Sequence, residues 1–335
     1  MTSLLITGGT GSLGRAVLAR VLAEGRYDRV IVFSRDEFKQ FAMQDEHQDP
    51  RVRYFLGDVR HPARLRVALH GVTDVIHAAA LKWVASGGYN PTEMVLTNVG
   101  GTQHVVTAAI EAGVARVVVV SSDKAVHPAN IYGKTKSMAE EIAVSMNAYG
   151  FPQGTRIACV RYGNVLWSRG SVAYRFRSAA WRNAFPFEIT DRRMTRFGIR
   201  MSAAVTFVLG ALDRMRGGEI FVPRLPSFRV EDVAHANYHD HRDARARTPI
   251  AVVGKRQGGE KVHEMLVSEE ESPHTVGVEG GWVIEPEIRS WERPAWEGEP
   301  VPEGWSYTSD KNPEVLSEAD LIASFEEMED GLVTV

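Results

Sequence analysis

Three glycines, Gly8, Gly11 and Gly14 in "TGGTGSLG", stand between a short apolar run, "SLLIT" (Ser3–Thr7), and a helical pattern, "GSLGRAVLARVLAEG". The order strand, glycine turn, helix constrains the fold more than anything else in the chain. Without side chains the turn lets the backbone approach a pyrophosphate, whose charge then rests on the N-terminus of the helix. A glycine trio alone is a weak signal, and its place directly after an apolar strand is what gives it weight. The following helix carries Leu13, Val17, Val21 and Leu22 along one face, the spacing of a helix laid on a sheet.

The same rhythm continues through the first half. "RVIVFSR", "VRYFLGD", "DVIHAA", "RVVVVSS" and "GTRIACVRYGNV" read as further strands, with residues 99–112 and 136–149 as covering helices. Continuous Val/Ile runs separated by helices indicate a parallel sheet buried on both faces. The fold class expected is therefore α/β: a Rossmann-type doubly wound parallel sheet with a smaller C-terminal substrate-binding lobe. Residues 1–170 form the dinucleotide-binding part, to which later segments return, and residues 171–335 mainly the lobe and tail. In that half "RGGEIFVPRLPSFRVEDVA" suggests a strand, a turn and a short helix. "TPIAVVGKRQGGEKVHEML" suggests a strand, a glycine loop and a helix. The tail from Ser272 is rich in Pro, Gly and Glu, but three tryptophans in "WERPAWEGEPVPEGW" argue that it packs on something.

Composition removes several function classes. The 335 residues carry a formal net charge of −3, so no basic surface points to nucleic acid. No apolar stretch approaches the ~18 residues of a membrane span, and "SLLITGG" is too short an apolar run for a signal peptide. The single cysteine, Cys159, cannot form an internal disulfide and reads as a small buried hydrophobe. A cytoplasmic location is expected. "HANYHDH" (His235 to His241) has ligand-like residue types, yet lacks thiolates and the H-E-x-x-H spacing, so no metal is expected.

The dinucleotide contacts follow from position. Gly8, Thr10, Gly11, Ser12, Leu13 and Gly14 belong to the turn and helix start. The second strand ends in "FSRDE", where Ser34 and Arg35 come first. Arg35 suits a 2′-phosphate and so NADP, while Asp36 keeps NAD possible. Asp58 and Val59 in "GDV" stand where an adenine amine is held, and Ala78, Ala79 and Ala80 are small where bulk would block the cofactor. Lys82 and Asn98 complete this set.

The stretch "SSDKAVHPANIYGKTK" (Ser121–Lys136) carries the chemistry. Tyr132 and Lys136 lie one helical turn apart on the same face. A nearby ammonium favours the tyrosinate, which makes Tyr132 a candidate acid/base at a sugar hydroxyl. Ser121 and Ser122 offer hydroxyls to the substrate oxygen, and Asp123 and Lys124 stand side by side.

These residues, with "RYGNVLWSRGSV", "ITDRRMTRF", "GGEIFVPRLPS", "GGEKVHEML" and "YTSDKNPEVLS", resemble the extended short-chain dehydrogenase/reductases. More narrowly, the chain resembles the inverting UDP-N-acetylglucosamine 4,6-dehydratases of pseudaminic acid and capsule biosynthesis. The resemblance covers nearly the whole chain, tail included. It implies C4 oxidation, loss of water across C5 and C6, and return of the hydride to C6. Asp123 would protonate the departing C6 hydroxyl, and Lys124 would take the C5 proton. For that, Lys124 is expected to be neutral with a depressed pKa, and Asp123 to be held protonated. Retaining relatives have an acidic residue in place of this lysine, so lysine implies inversion at C5.

A nucleotide-sugar substrate requires polar and cationic groups in the second half. Lys82, Asn164, Arg169, Ser171, Thr190, Arg196, Arg256 and Glu260 are the candidates, the arginines for their bidentate fit to phosphate. A homo-oligomer is implied as well. Departures from the family pattern are Ser122 in place of Thr, "KWVASGGYNP" with Trp83 and Gly87–Gly88, Gly198 in place of Trp, and one extra residue in "KRQGGEK". They suggest a reshaped sugar pocket. The alternatives are a nucleotide-sugar 4-epimerase or another oxidoreductase of this fold, and a non-catalytic NADP-binding protein.

Overall fold

In the computed structural model β1 (Ser3–Thr7) is buried at every residue, because it has strands on both sides and helices on both faces. With β2 (Arg29–Ser34), β3 (Val52–Leu56), β4 (Asp74–His77), β5 (Arg116–Val120) and β6 (Arg156–Val160) it forms a parallel array in the order β3-β2-β1-β4-β5-β6. Side chains along β1 alternate between faces. Leu4 and Ile6 pack with Val17, Leu18 and Val21 of the first helix, while Leu5 packs with Val105, Val106 and Ala109 opposite. The structure describes all residues except 169, 241–245, 255–258, 288–289 and 328–335.

Beyond β6 the sheet grows to 10 strands. Ile220–Pro223 runs parallel to β6, and the hairpin Thr275–Val278/Gly281–Ile284 adds antiparallel to it, followed by Glu299–Pro300. The second half of the chain thus adds strands to the first sheet. The tryptophans of the tail pack as expected: Trp296 meets Phe221 edge-on at 5.4 Å, and Trp291 stacks on Phe151 at 5.9 Å.

Two element boundaries differ from the sequence reading. The helix that carries Tyr132 and Lys136 spans Ile131–Ser145, starting before the expected residue 136, because Asn130 caps it by accepting from the Gly133 amide at 3.0 Å. This brings Tyr132 into the first turn, on one face with Lys136. The helix expected in "GGEKVHEML" is absent; the run leads into strand Met265–Val267, which pairs antiparallel with Tyr307–Thr308. Arg196 explains the difference, since it donates to the carbonyls of Lys261 and Val262, oxygens a helix would use internally.

Candidate active site

The crevice at the carboxyl ends of β1 and β4 is where strand order reverses, the place this topology binds dinucleotides. Gly8 has φ +65°, and a Cβ there would fall 2.8 Å from the Ala79 amide nitrogen, so the glycine turn and the alanine run touch. Gly11 is the N-cap of helix Ser12–Ala23 and provides no capping side chain. The first amides of that helix are therefore available to an anion. Thr10 bonds Ser34 at 2.8 Å, tying the turn to the end of β2. These residues fit a dinucleotide.

At the adenosine end, Asp36 is committed elsewhere. It caps helix Glu37–Glu46 through the Lys39 amide at 3.0 Å and pairs with the Lys39 ammonium. Arg35 is half-exposed and only loosely paired with Asp58 at 3.8 Å. Asp58 itself is held by the Arg60 amide and guanidinium. Burial opposes its charge, but those bonds keep its carboxyl below the usual range. Val59 is a core side chain packed beneath Gly101. Asn98 bonds both the amide and the carbonyl of Leu81, at 2.8 and 2.9 Å, and so shapes the loop that carries Lys82.

Ser122, Asp123, Lys124 and Tyr132 come together at one place. Asp123 is fully buried, and its Oδ1 accepts from the Lys124 ammonium at 2.9 Å and the Ser122 hydroxyl at 2.7 Å. Asp123 Oδ2 and Ser121 Oγ are buried without a hydrogen-bond partner, which is uncommon for buried polar atoms. Lys124 also donates to Asn164 Oδ1 at 2.9 Å. The expectation of a depressed Lys124 pKa is corrected. Burial does work against the ammonium, but the carboxylates of Asp123 and Glu264 outweigh it and the pKa is raised. Lys136 is pushed down, to about 8, by burial; its ammonium donates to the Val120 carbonyl at 2.6 Å. Burial also raises the Tyr132 phenol, opposed first by the charge of Lys124. The tyrosinate is thus not favoured in this state, and the cation easing it is Lys124.

Behind this site lies a buried ion network. Arg161 bonds Glu140, one turn past Lys136, at 2.6 and 3.1 Å, and Glu271 at 2.9 and 3.0 Å. It fixes helix Ile131–Ser145 against the end of β6 and Glu271.

The remaining candidates separate. Arg196 is buried and lies along residues 260–264, bonding three carbonyls and standing 3.4 Å from Glu260. Asn164 lies at Lys124, whose ammonium its side-chain oxygen accepts from. Ser171 caps helix Val172–Trp181, and Thr190 bonds the Met194 sulfur. Lys82 is drawn down by desolvation and by the charge of Lys124, which sets it within electrostatic range of the pair. Arg169 and Arg256 lie outside the described residues. Trp83 is 65% exposed, with its ring edge at Gly170. Gly198 does not leave a void: a Cβ there would be 3.1 Å from the Phe228 ring, which occupies the space. Sequence reasoning missed Glu264 and Lys261, for neither has a local signal. His235 and His239 bond Thr248 and Glu318.

Residues 4–286 match the family described as polysaccharide biosynthesis protein. The chain is 40% identical over 328 residues to a protein of Campylobacter jejuni subsp. jejuni serotype O:2 named UDP-N-acetylglucosamine 4,6-dehydratase (inverting), covering 96% of each chain. It is 40% identical over 272 residues to a protein of Rickettsia conorii named UDP-glucose 4-epimerase, covering 80% of this chain and 78% of that one. Among solved structures, that of Pen from Bacillus thuringiensis matches with a TM-score of 0.87 and 32% identity, over 97% of this chain and 98% of that one.

Proposed function

The chain belongs to the polysaccharide biosynthesis protein family, and from that premise we infer that it is a nucleotide-sugar 4,6-dehydratase, a hydro-lyase acting on UDP-N-acetylglucosamine with inversion at C5. The observation that carries this reading is the pair of buried Asp123 and part-buried Lys124, whose charges act on Tyr132. The longer match, 96% of both chains, is to the inverting dehydratase.

A bound nicotinamide supplies the acceptor for the electron pair leaving C4 and the donor that returns it to C6. The chain's own residues do the rest. Tyr132, once ionised beside the Lys124 ammonium that eases its charge, takes the proton of the C4 hydroxyl. The ketone at C4 acidifies the C5 proton, which the Lys124 amine removes; the Asp123 carboxyl protonates the C6 oxygen as it departs as water, and C5 takes a solvent-derived proton on its opposite face when C6 is reduced. The resting ion pair and this acid–base pair differ by one proton. Moving it from Lys124 Nζ to Asp123 Oδ1, along the 2.9 Å hydrogen bond, yields a neutral amine and an undissociated carboxyl with no net change in charge. Ser122, bonded to Asp123, keeps the carboxyl oriented during the exchange.

NADP is the cofactor in this reading: Arg35 is exposed at the ribose end, and Asp36 is occupied as a cap. Arg35→Ala should weaken NADP more than NAD in a calorimetric titration. The protein would act as a cytoplasmic homo-oligomer; exposed Leu96, Met138 and Tyr149 support self-association, which light scattering tests. The test of the function is mass spectrometry after incubation with a panel of nucleotide sugars. Loss of one water from UDP-N-acetylglucosamine is the expected result. Product of unchanged mass would favour a 4-epimerase, the name of the Rickettsia relative, and would leave the Asp123–Lys124 pair without a task.

A further inference from the structure

Glu264 precedes strand Met265–Val267 and is buried in the middle of three cations. Its carboxylate lies 2.7 Å from Lys261, 3.8 Å from Lys124 and 3.8 Å from Arg196. Lys261 reaches past it to the catalytic turn, where its ammonium donates to the carbonyls of Asp123 at 3.2 Å and Val126 at 2.9 Å. A third link lies close by. Asn130, the cap of the catalytic helix, donates to the Gly259 carbonyl at 3.1 Å, and a Cβ on Gly259 would fall 2.2 Å from the Ala129 oxygen. Residues 259–264 therefore form a strap across residues 123–130, and Arg196 grips it from the other side through the carbonyls of Lys261 and Val262.

We propose that Glu264 is a positioning residue for the acid–base pair: it anchors the Lys124 ammonium opposite Asp123 and, shared with Lys261, decides how firmly Lys124 keeps its proton. The proposal deepens the dehydratase reading and rests on it for its consequence in turnover. The charges facing Lys124 come from five elements. They are Asp123 on its own turn, Tyr132 on the catalytic helix, Lys82 on the loop after β4, Arg196 on strand Thr195–Ile199, and Glu264 with Lys261 on the strap. Among these, Asp123 and Glu264 are the carboxylates that pair with Lys124. Asp123 must receive the proton during reaction, so Glu264 is the one whose negative charge persists throughout. A persistent anion there holds the amine in place once it is neutral, and stabilises the ammonium that forms when Lys124 takes the C5 proton. Lys261 moderates that pull, since Glu264 is closer to Lys261 than to Lys124.

Removing the two partners should move Lys124 in opposite directions, which a general loss of structure would not do. The experiment is competitive acetylation of the full-length protein across pH, with Lys124 followed by peptide mass spectrometry and exposed Lys39 as the reference. The Lys124 side chain is one-quarter exposed, which gives the reagent a way to it. In Glu264→Gln the labelling midpoint of Lys124 should fall by about one pH unit. In Lys261→Met it should rise, because Glu264 then serves Lys124 without a competitor. With UDP-N-acetylglucosamine, Glu264→Gln should lower kcat by roughly ten- to a hundred-fold with little change in KM, and Glu264→Asp should restore part of it. Midpoints that stay at the wild-type value in both variants, or that shift the same way in both, overturn the proposal. The labelling needs no substrate. If the wild-type protein dehydrates no nucleotide sugar the functional reading fails, and the midpoints still decide the role of Glu264.

Discussion

Lys124→Met tests the base directly, and its cost can be worked from the contacts. The substitution keeps most of the side-chain volume and removes an ammonium that bonds Asp123 and Asn164, each at 2.9 Å. Asp123 is fully buried, so it is left as an uncompensated carboxyl. Breaking a buried pair by deleting one partner costs about 3–5 kcal/mol. Because Lys124 is itself one-quarter exposed, the lower end, about 3 kcal/mol, is the appropriate figure. At roughly 2–4 °C per kcal/mol for a chain of this size or somewhat smaller, the melting temperature should fall by on the order of 10 °C, leaving a folded protein at room temperature. Removal of the general base should slow exchange of the C5 proton by roughly 10²–10⁴-fold. The assay is deuterium uptake at C5 in heavy water, read by mass spectrometry beside a thermal melt. Lys124→Arg separates charge from basicity, since a guanidinium keeps the ion pair but cannot act as a neutral base; it should lose exchange while melting closer to the wild type. Exchange at the wild-type rate in either variant would refute the assignment.

Gly8→Ala puts a Cβ 2.8 Å from the Ala79 nitrogen at a residue with φ +65°. It should cost about 1–2 kcal/mol in strain and abolish NADP binding in a calorimetric titration; retained affinity contradicts the cradle. Arg161→Met strands Glu140, which is nearly as buried as Arg161, and should destabilise the protein by about 3–5 kcal/mol in a denaturant melt; a loss below about 1 kcal/mol would mean that the network contributes little. Lys136 carries its charge below about 8 and loses it above. Cofactor affinity, followed by nicotinamide fluorescence, should therefore weaken as pH rises through that value, and a flat profile would deny Lys136 a role in binding.

What could be read from the chain alone was whatever is local. β1 was bounded correctly because five consecutive apolar or small residues end at a glycine turn, and the adjacency of Asp123 and Lys124, like the spacing of Tyr132 and Lys136, needs no tertiary fold to be seen. The Asn130 cap was legible but overlooked, which set the start of the catalytic helix too late. The protonation of Lys124 was not legible. Its direction depends on Glu264, and the strap that carries Glu264 meets the catalytic turn across 138 positions of sequence, as the bond from Lys261 to Asp123 shows. Arg196 illustrates the same limit. An arginine in a substrate lobe suggests a phosphate, but the carbonyls of residues 261 and 262 that accept from it are brought there only by the fold. Gly198 was read as lost bulk, because the ring of Phe228 that fills the space lies on a neighbouring strand.

The most direct measurement is a single turnover on UDP-N-acetylglucosamine in heavy water, with the product analysed by mass spectrometry and NMR. The expected product has lost one water, carries solvent deuterium at C5 in the inverted configuration, and keeps at C6 the hydrogen that began at C4. A product of unchanged formula with the original C5 hydrogen in place would contradict dehydration by the Asp123–Lys124 pair.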